Sequence, residues 1–356
     1  TEPPTKRKQP MGEVLEVLGE HMAPGMEIDI AIRVHGLPSK FTDEVIQEAA
    51  SFTEDSIIEE SPNRKDLRDI PFVTIDGEDA KDFDDAVYCE KREGGWKLYV
   101  AIADVSFYVQ PGNELDKEAQ WRGTSVYFPG QVIPMLPENL SNGLCSLNPE
   151  IPRLTLVCEM SISPTGEMQS YQFYKAVIKS HARLTYTQVA EAVVDKKVKA
   201  RKSIGDTCTH IDELYRLFIA LLGYREERGA IDFHSTETKI EFGPDKKIVR
   251  IYPYERNDAH RVIEECMIAA NVAAAKFLTK NKIPGLYRIH EGPKETKLKD
   301  LRELLKTLGL NLPGGEKPEP KHYADLIKQV NEREEDRWIE TMLLRSLSQA
   351  VYSPDN

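Results

Sequence analysis

Ten consecutive positions, Asp76 to Asp85, hold six carboxylates (Asp76, Glu78, Asp79, Asp82, Asp84 and Asp85) against one cation, Lys81. They lie in TIDGEDAKDFDDAVY, between the apolar runs PFVTI and AVYC, both of which read as strands. Like charges this dense repel, and no strand or helix propensity requires them. In extended backbone Asp82 and Asp84 project to one side, roughly 6.5–7 Å apart at Cα. Asp85 faces the other way unless the chain bends, and Gly77 and Ala80 leave room for a bend. Converging aspartates titrate as a coupled set with raised proton affinity unless a cation sits among them. Hard divalent cations take oxygen ligands, and two of them about 3.5–4 Å apart form the clamp used in phosphodiester hydrolysis.

Three other readings compete. A solvated acidic hairpin loop is the ordinary explanation of such a run, but here strands that read as buried abut it on both sides. The EF-hand calcium pattern fails, because Gly77 takes the second position and no Glu closes a twelve-residue loop. An aspartyl nucleophile wants its first Asp directly after an apolar strand, whereas DFDD follows GEDAK. A two-metal nuclease or phosphotransferase site fits best.

The elements that must position this cluster follow from the pattern. A chain of 356 residues can bury a large core, and 40% apolar with 30% charged residues fits an ordinary soluble protein. No run approaches the roughly 18 apolar residues of a membrane span, and no secretory signal pattern opens the chain. Five scattered cysteines without a CxxC pair argue against a zinc site or a disulfide framework, so a reduced, cytoplasmic setting is expected. The net charge of −12 argues against a nucleic-acid partner when taken alone. Between Lys175 and Lys202, however, eight Lys/Arg face only Glu191 and Asp195, a surplus that could guide a polyanion or form a solvated face.

Residues 1–10 are rich in Pro and Lys and read as the edge of something cut from a longer chain; GEVLEVLGE and MEIDIAIRVHGLP follow as two strand-like runs around an HMAPG turn. Thr42 starts a helix in TDEVIQEAASF, and SPNRKDLRDIP is a connector. Strands are expected at PFVTI, AVYCE and the long WKLYVAIADVSFYV, the last two joined by KREGG, and a hairpin pairs RLTLVCEMSIS with MQSYQFYKAVIKS. Helices are expected over 185–197, 212–229, 258–280, 295–309, 322–333 and 336–351, interrupted by the strands TKIEF and KIVRIYPY. Strands first and helices later point to an α+β domain. The expected organisation is a remnant of an all-β OB/cold-shock domain over 1–40, a connector over 41–70, and a mixed or antiparallel sheet with packed helices over 71–356.

VTIDGEDAKDFDDAVYCE, AIADVSFYV, RGTSVYFPGQVIPMLPENLSNGLCSLNP, SHARLTYTQV and IEECMIAAN occur in that order, and with them the chain resembles the ribonuclease II/R superfamily, nearest its ribonuclease R branch. The resemblance implies an RNB-type catalytic domain and processive 3′→5′ hydrolysis of single-stranded RNA to nucleoside 5′-monophosphates with Mg²⁺. From a 3′ overhang, structured RNA is degraded too. A monomer with no membrane partner is expected. Carried over by position, the catalytic, metal-holding aspartates are Asp76, Asp82, Asp84 and Asp85, with Asp84 the most critical. Glu78 and Asp79 stand outside the set and are expected to face solvent.

For RNA contact the resemblance implies Tyr127 as a stacking aromatic near the 3′-terminal base and Phe233 on the opposite side of the stack. It implies Tyr186 in the preference for ribose, and one of Glu264 and Glu265 on the sugar. A buried tyrosine, a core phenylalanine and structural ion pairs are the ordinary alternatives. Asp104, within an apolar strand, is either a supporting carboxylate or a hydrogen-bonded strand residue, and the histidines show no ligand spacing and read as structural. The family's arginine motif beginning SPIR lies beyond Asn356, so this polypeptide is expected to hydrolyse RNA poorly. A non-catalytic RNA-binding module with a structural cation site is the rival reading.

Overall fold

The computed structural model describes residues 13–14, 16–18, 25–233, 237–243, 247–254, 256–331, 333 and 335–356. The chain divides into two compact units, one of 1–52, 106–141 and 237–254, the other of 53–105, 142–236 and 255–356.

The larger unit is built on a seven-stranded sheet. Its strands are β1 (Lys65–Asp66), β2 (Val73–Asp76), β3 (Asp85–Arg92), β4 (Gly95–Ala103), β5 (Pro152–Ile162), β6 (Met168–Lys179) and β7 (Ala182–Thr185), in the spatial order β1-β6-β5-β4-β3-β2-β7. Only the two outer pairings, β1 with β6 and β2 with β7, are parallel. The sheet is therefore mixed, as the α+β reading expects. Val73, Ile75, Val87, Cys89, Leu98, Val100, Cys158, Met160 and Ile162 alternate onto one face. Helices α3 (Cys208–Glu227) and α4 (Asp258–Asn281) cover that face with Leu214, Leu217, Phe218, Val262, Ile263, Cys266, Ala269 and Ala273. The small residues of α4 at i, i+3 and i+4 spacing let its backbone approach the sheet closely. Across the other face Phe72 packs edge-on against Tyr99, ring centres 6.2 Å apart.

The same unit contains α1 (Glu54–Glu60) and the short α2 (Tyr186–Val189), which runs on into a π-turn over Ala190–Val194. A separate cluster of Leu298, Leu301, Leu305, Tyr323, Leu326, Ile327, Ile339 and Leu343 is formed by α5 (Glu295–Thr307), α6 (Pro320–Val330) and α7 (Asp336–Ser346).

In the smaller unit the helix Asp43–Ser51 is capped by the Thr42 hydroxyl, which accepts the Val45 N–H. Its Glu48 accepts the Leu115 N–H of the helix Glu114–Arg122 at 2.9 Å. The Arg122 guanidinium lies 3.8 Å from the Phe41 ring centre and donates to the carbonyls of Pro38, Lys40 and Pro134. Two hairpins, Val126–Phe128 with Gln131–Ile133 and Glu237–Phe242 with Ile248–Tyr254, complete it.

Two expectations are corrected. The second strand-like run contains an α-helix, Met26–Val34. Its alternating isoleucines satisfy a strand period. The charges decide otherwise: Glu27 and Asp29 sit in the first turn, and Arg33 in the last turn pairs with Asp29 one turn back. In the first such run, 12–20, the described residues 13, 14 and 16–18 form no strand, and the others lie outside the described residues. The strand expected from Trp96 to Val109 stops at Ala103, and Val105–Phe107 forms a 3₁₀ turn. The break falls where Asp104 turns its carboxylate inward to Arg64.

The β4–β5 pairing leaves no room at the start of β4. Gly95 has φ +140°, and a Cβ there would stand 1.9 Å from the Ile162 carbonyl oxygen. Gly95→Ala is expected to cost at least about 2 kcal/mol of stability, since both strain and a backbone clash must be relieved. Urea unfolding of wild type and variant measures it.

Candidate active site

The four aspartates sit where β2 ends and β3 begins. Val73 is registered opposite Val87, and the chain between Asp76 and Asp85 loops out beyond the paired residues. Asp76, Asp82 and Asp85 are half-buried, and Asp84 is exposed. The proton affinity of Asp85 is raised to about 6, first by burial and then by the charges of Asp76 and Asp84. Asp76 is raised by burial and by Asp82, an effect opposed by the Gly77 N–H and by Arg183. Loss of surrounding water raises Asp84 as well, together with the charges of Asp82 and Asp76. Asp76, Asp84 and Asp85 are thus each raised by at least one other member of the set. Asp85 alternates with Val87 and Cys89 of the helix-covered face, and its charge adds to burial in raising the Cys266 thiol of α4.

Neutral and cationic groups hold this repelling loop in place. Buried Ser146 does so from both sides: its hydroxyl accepts the Phe83 N–H and donates to the Lys81 carbonyl, each at 3.0 Å. Leu147 N–H donates to the Phe83 carbonyl at 2.8 Å, and Ala103 N–H to the Asp84 carbonyl at 2.9 Å. From β7, Arg183 reaches over the loop and donates to the carbonyls of Gly77, Glu78 and Ala80, the shortest contact being 2.7 Å to Glu78. The Thr187 hydroxyl donates to the Glu78 carboxylate at 2.6 Å. Ser146, Leu147, Ala103 and Arg183 thus hold the loop by its backbone, and Thr187 holds it by the Glu78 carboxylate.

Among the described residues no three carboxylate, thiol or imidazole groups close round a single point as they stand. The donor set nevertheless suits a hard divalent cation. It offers oxygen ligands, three of the four carboxylates have raised proton affinity, and Arg183, whose charge acts on Asp76, directs its guanidinium to loop carbonyls.

The sequence profile of the RNB domain matches residues 64–356, and that of a cold shock domain matches residues 1–42. The chain belongs to the RNB domain family. Ribonuclease R of Vibrio cholerae is 54% identical over 99% of this chain and 43% of its own length. Ribonuclease R of Escherichia coli is 52% identical over 100% of this chain and 44% of its own length. The structure of Mycoplasma genitalium RNase R in complex with ribose-methylated single-stranded RNA superposes with a TM-score of 0.88, at 32% identity over 96% of this chain and 53% of that one. This RNB chain thus spans less than half the length of those two curated relatives.

Within the RNB unit the remaining candidates divide clearly. Tyr186 opens α2 directly after Thr185, which pairs in register with Asp76. Its ring stacks on His260 of α4. Glu265 is buried and bonded to Arg225, so it is an internal ion pair. Glu264 keeps its side chain about 39% exposed, one turn beyond His260, and pairs with Arg256. Phe233 is half-buried against the cluster of α5, α6 and α7. Asp104 is a buried partner of Arg64 at 2.6 Å, hence a structural carboxylate. Glu78 and Asp79 are exposed, as expected. In the smaller unit Tyr127 is 67% exposed on its hairpin. Much of the basic surplus is already engaged: Lys197 with Glu191 and Asp195, Arg201 with Asp212, Lys179 with Glu150.

Sequence reasoning passed over Ser146, His260 and the specific role of Arg183. Ser146 and Arg183 lie within the quoted motifs, but nothing in their spacing shows that they reach the acidic loop.

Ser146→Ala removes both loop hydrogen bonds and leaves a buried N–H unpaired. A loss of about 1–3 kcal/mol is expected on urea unfolding, with weaker divalent-metal affinity by calorimetry. Asp85 carries a folded-state proton affinity above its unfolded value, so it favours the fold at low pH. That contribution is lost as the pH rises from about 4 through about 6. At pH 7.5 without metal, Asp85→Asn is therefore expected to be more stable than wild type by up to about 3 kcal/mol. Millimolar Mg²⁺ should raise the melting temperature of wild type and not that of the variant.

Proposed function

We propose that this chain carries the catalytic centre of a 3′→5′ exoribonuclease that hydrolyses single-stranded RNA processively to nucleoside 5′-monophosphates. From a 3′ overhang the same centre would degrade structured RNA. The observation that carries the reading is the set Asp76, Asp82, Asp84 and Asp85, gathered where β2 ends and β3 begins, with charges that raise one another's proton affinity, on a loop whose backbone is pinned by Ser146 and Arg183. Ribonuclease R is the name of the similar proteins in Vibrio cholerae and Escherichia coli, which supports the same reading.

Asp76, Asp82, Asp84 and Asp85 would hold Mg²⁺, which supplies Lewis acidity toward the phosphate and toward the leaving oxygen. Exposed Asp84 is suited to accept a hydrogen bond from the attacking water and so to orient its lone pair. Water oxygen bonds to phosphorus as its proton passes by way of Asp84 to solvent, the bond to the 3′-oxygen breaks, and that oxygen leaves with a proton from solvent. Arg183 and Ser146 keep the loop in register while charge builds on the phosphate. Tyr186, together with Glu264 rather than buried Glu265, would read the terminal sugar. Tyr127 and Phe233 would stack on bases, a sequence-tolerant contact worth roughly 1–3 kcal/mol per base. We further assign the protein to the cytoplasm as a monomer, with the RNB catalytic domain over 71–356 following a cold-shock portion over 1–40 and a connector over 41–70.

In the natural protein Asp84→Asn is expected to lower mononucleotide release from oligoadenylate at least about a hundredfold, with RNA binding retained by filter assay. Chelation of divalent metal should do the same to wild type. RNA binding by wild type without mononucleotide release, in the presence of Mg²⁺, would identify a non-catalytic RNA-binding module instead.

A further inference from the structure

We propose that His260 is a positioning residue for sugar selection, its imidazole serving as the backstop that fixes the plane of Tyr186. The inference rests on the reading above in which Tyr186 contacts the ribose. The Tyr186 and His260 rings lie face to face, with centroids 3.9 Å apart and planes 20° from parallel. Both residues are half-buried. A tyrosine at the first position of a four-residue helix has two free torsions, and a small swing of its ring carries the hydroxyl a long way. Contact over a whole ring face removes most of that freedom.

His260 is itself held. Its Nδ1 stands 2.8 Å from Asn257 Oδ1, the residue that caps α4. Asn257 Oδ1 also accepts the N–H groups of Ala259 and His260, at 3.0 and 3.3 Å. The Asn257 N–H in turn reaches His260 Nδ1 at 3.3 Å, so the imidazole takes part in the cap and is anchored at the helix start. Beyond the cap it offers a flat surface to Tyr186, which follows Thr185, the strand residue paired with Asp76. The stack links the start of α4, whose inner face packs on the sheet, to the residue next to the acidic loop. Glu264, one turn along on the same side of α4, is fixed by Arg256. A hydroxyl-to-hydroxyl contact depends on placement to a fraction of an ångström. Loosening the Tyr186 ring should thus cost discrimination between ribose and deoxyribose more than it costs turnover on RNA.

The test compares kcat/KM on an all-ribo oligoadenylate with kcat/KM on the same oligomer carrying 2′-deoxyriboses in its last few residues, using the natural protein. His260→Ala is expected to lower the ribo-over-deoxy ratio about five- to tenfold, the scale of one lost aromatic pair. His260→Phe, which restores a stacking face, should keep the ratio within about twofold of wild type. In the double variant with Tyr186→Ala the ratio should fall no further than with Tyr186→Ala alone. If Tyr186→Ala lowers the ratio while His260→Ala leaves it at the wild-type value, the backstop role is overturned and the reading of Tyr186 stands. A full ratio in Tyr186→Ala overturns the reading of Tyr186 and the backstop with it. Should His260→Ala melt too low to assay, His260→Phe decides: a retained ratio supports the stack, a lost one overturns it.

Discussion

Four carboxylates gathered at the end of two strands repel one another, and the rest of the larger unit is arranged so that this repulsion does not open the chain. The cost appears in the raised proton affinities of Asp76, Asp84 and Asp85. The countermeasure works mainly through the backbone. Ser146, Leu147, Ala103 and Arg183 bind the main chain of the loop, and the Arg183 charge also opposes the rise at Asp76.

Helix α4 links core packing to the site. Its small apolar residues lie on the sheet, where the Asp85 charge adds to burial in raising the Cys266 thiol. Adjacent stripes of the same helix hold Glu265 in a buried ion pair and present His260 and Glu264 outward. Two glutamates next to each other in sequence thus serve opposite purposes, because 100° of helical rotation separates a packed face from an open one. The ion pairs of Asp232 with Arg256 and Arg261 tie the segment before Phe233 to the start of this helix.

Much of the fold was legible because its signals are local. Alternating apolar residues marked β2 to β6, the KREGG turn marked one hairpin and the runs RLTLVCEMSIS and MQSYQFYKAVIKS another, and Thr42 marked a helix start. Met26–Val34 was misread, since three alternating isoleucines look like a strand when the i,i+4 pairing of Asp29 with Arg33 is overlooked. The early end of β4 was illegible for a different reason. The partner that draws Asp104 inward is Arg64, forty residues away in a segment that reads as a mere connector.

Taken alone, the sequence determined which chemistry this protein is equipped for: an oxygen-donor cluster of fixed spacing, between strands, in a chain whose helices follow its sheet. Residue type and neighbour spacing are covalent facts, and they specify what a hard cation would meet. Which groups restrain that cluster was decided only in three dimensions. Ser146 reaches the loop from more than sixty positions away through its hydroxyl, and Arg183 from more than one hundred through the pairing of β7 with β2. The choice of Glu264 over Glu265 as the open acid, and the meeting of His260 with Tyr186, depend on how α4 is rotated against the sheet. Those are contacts between distant segments, and burial of the common core selects them rather than any local preference.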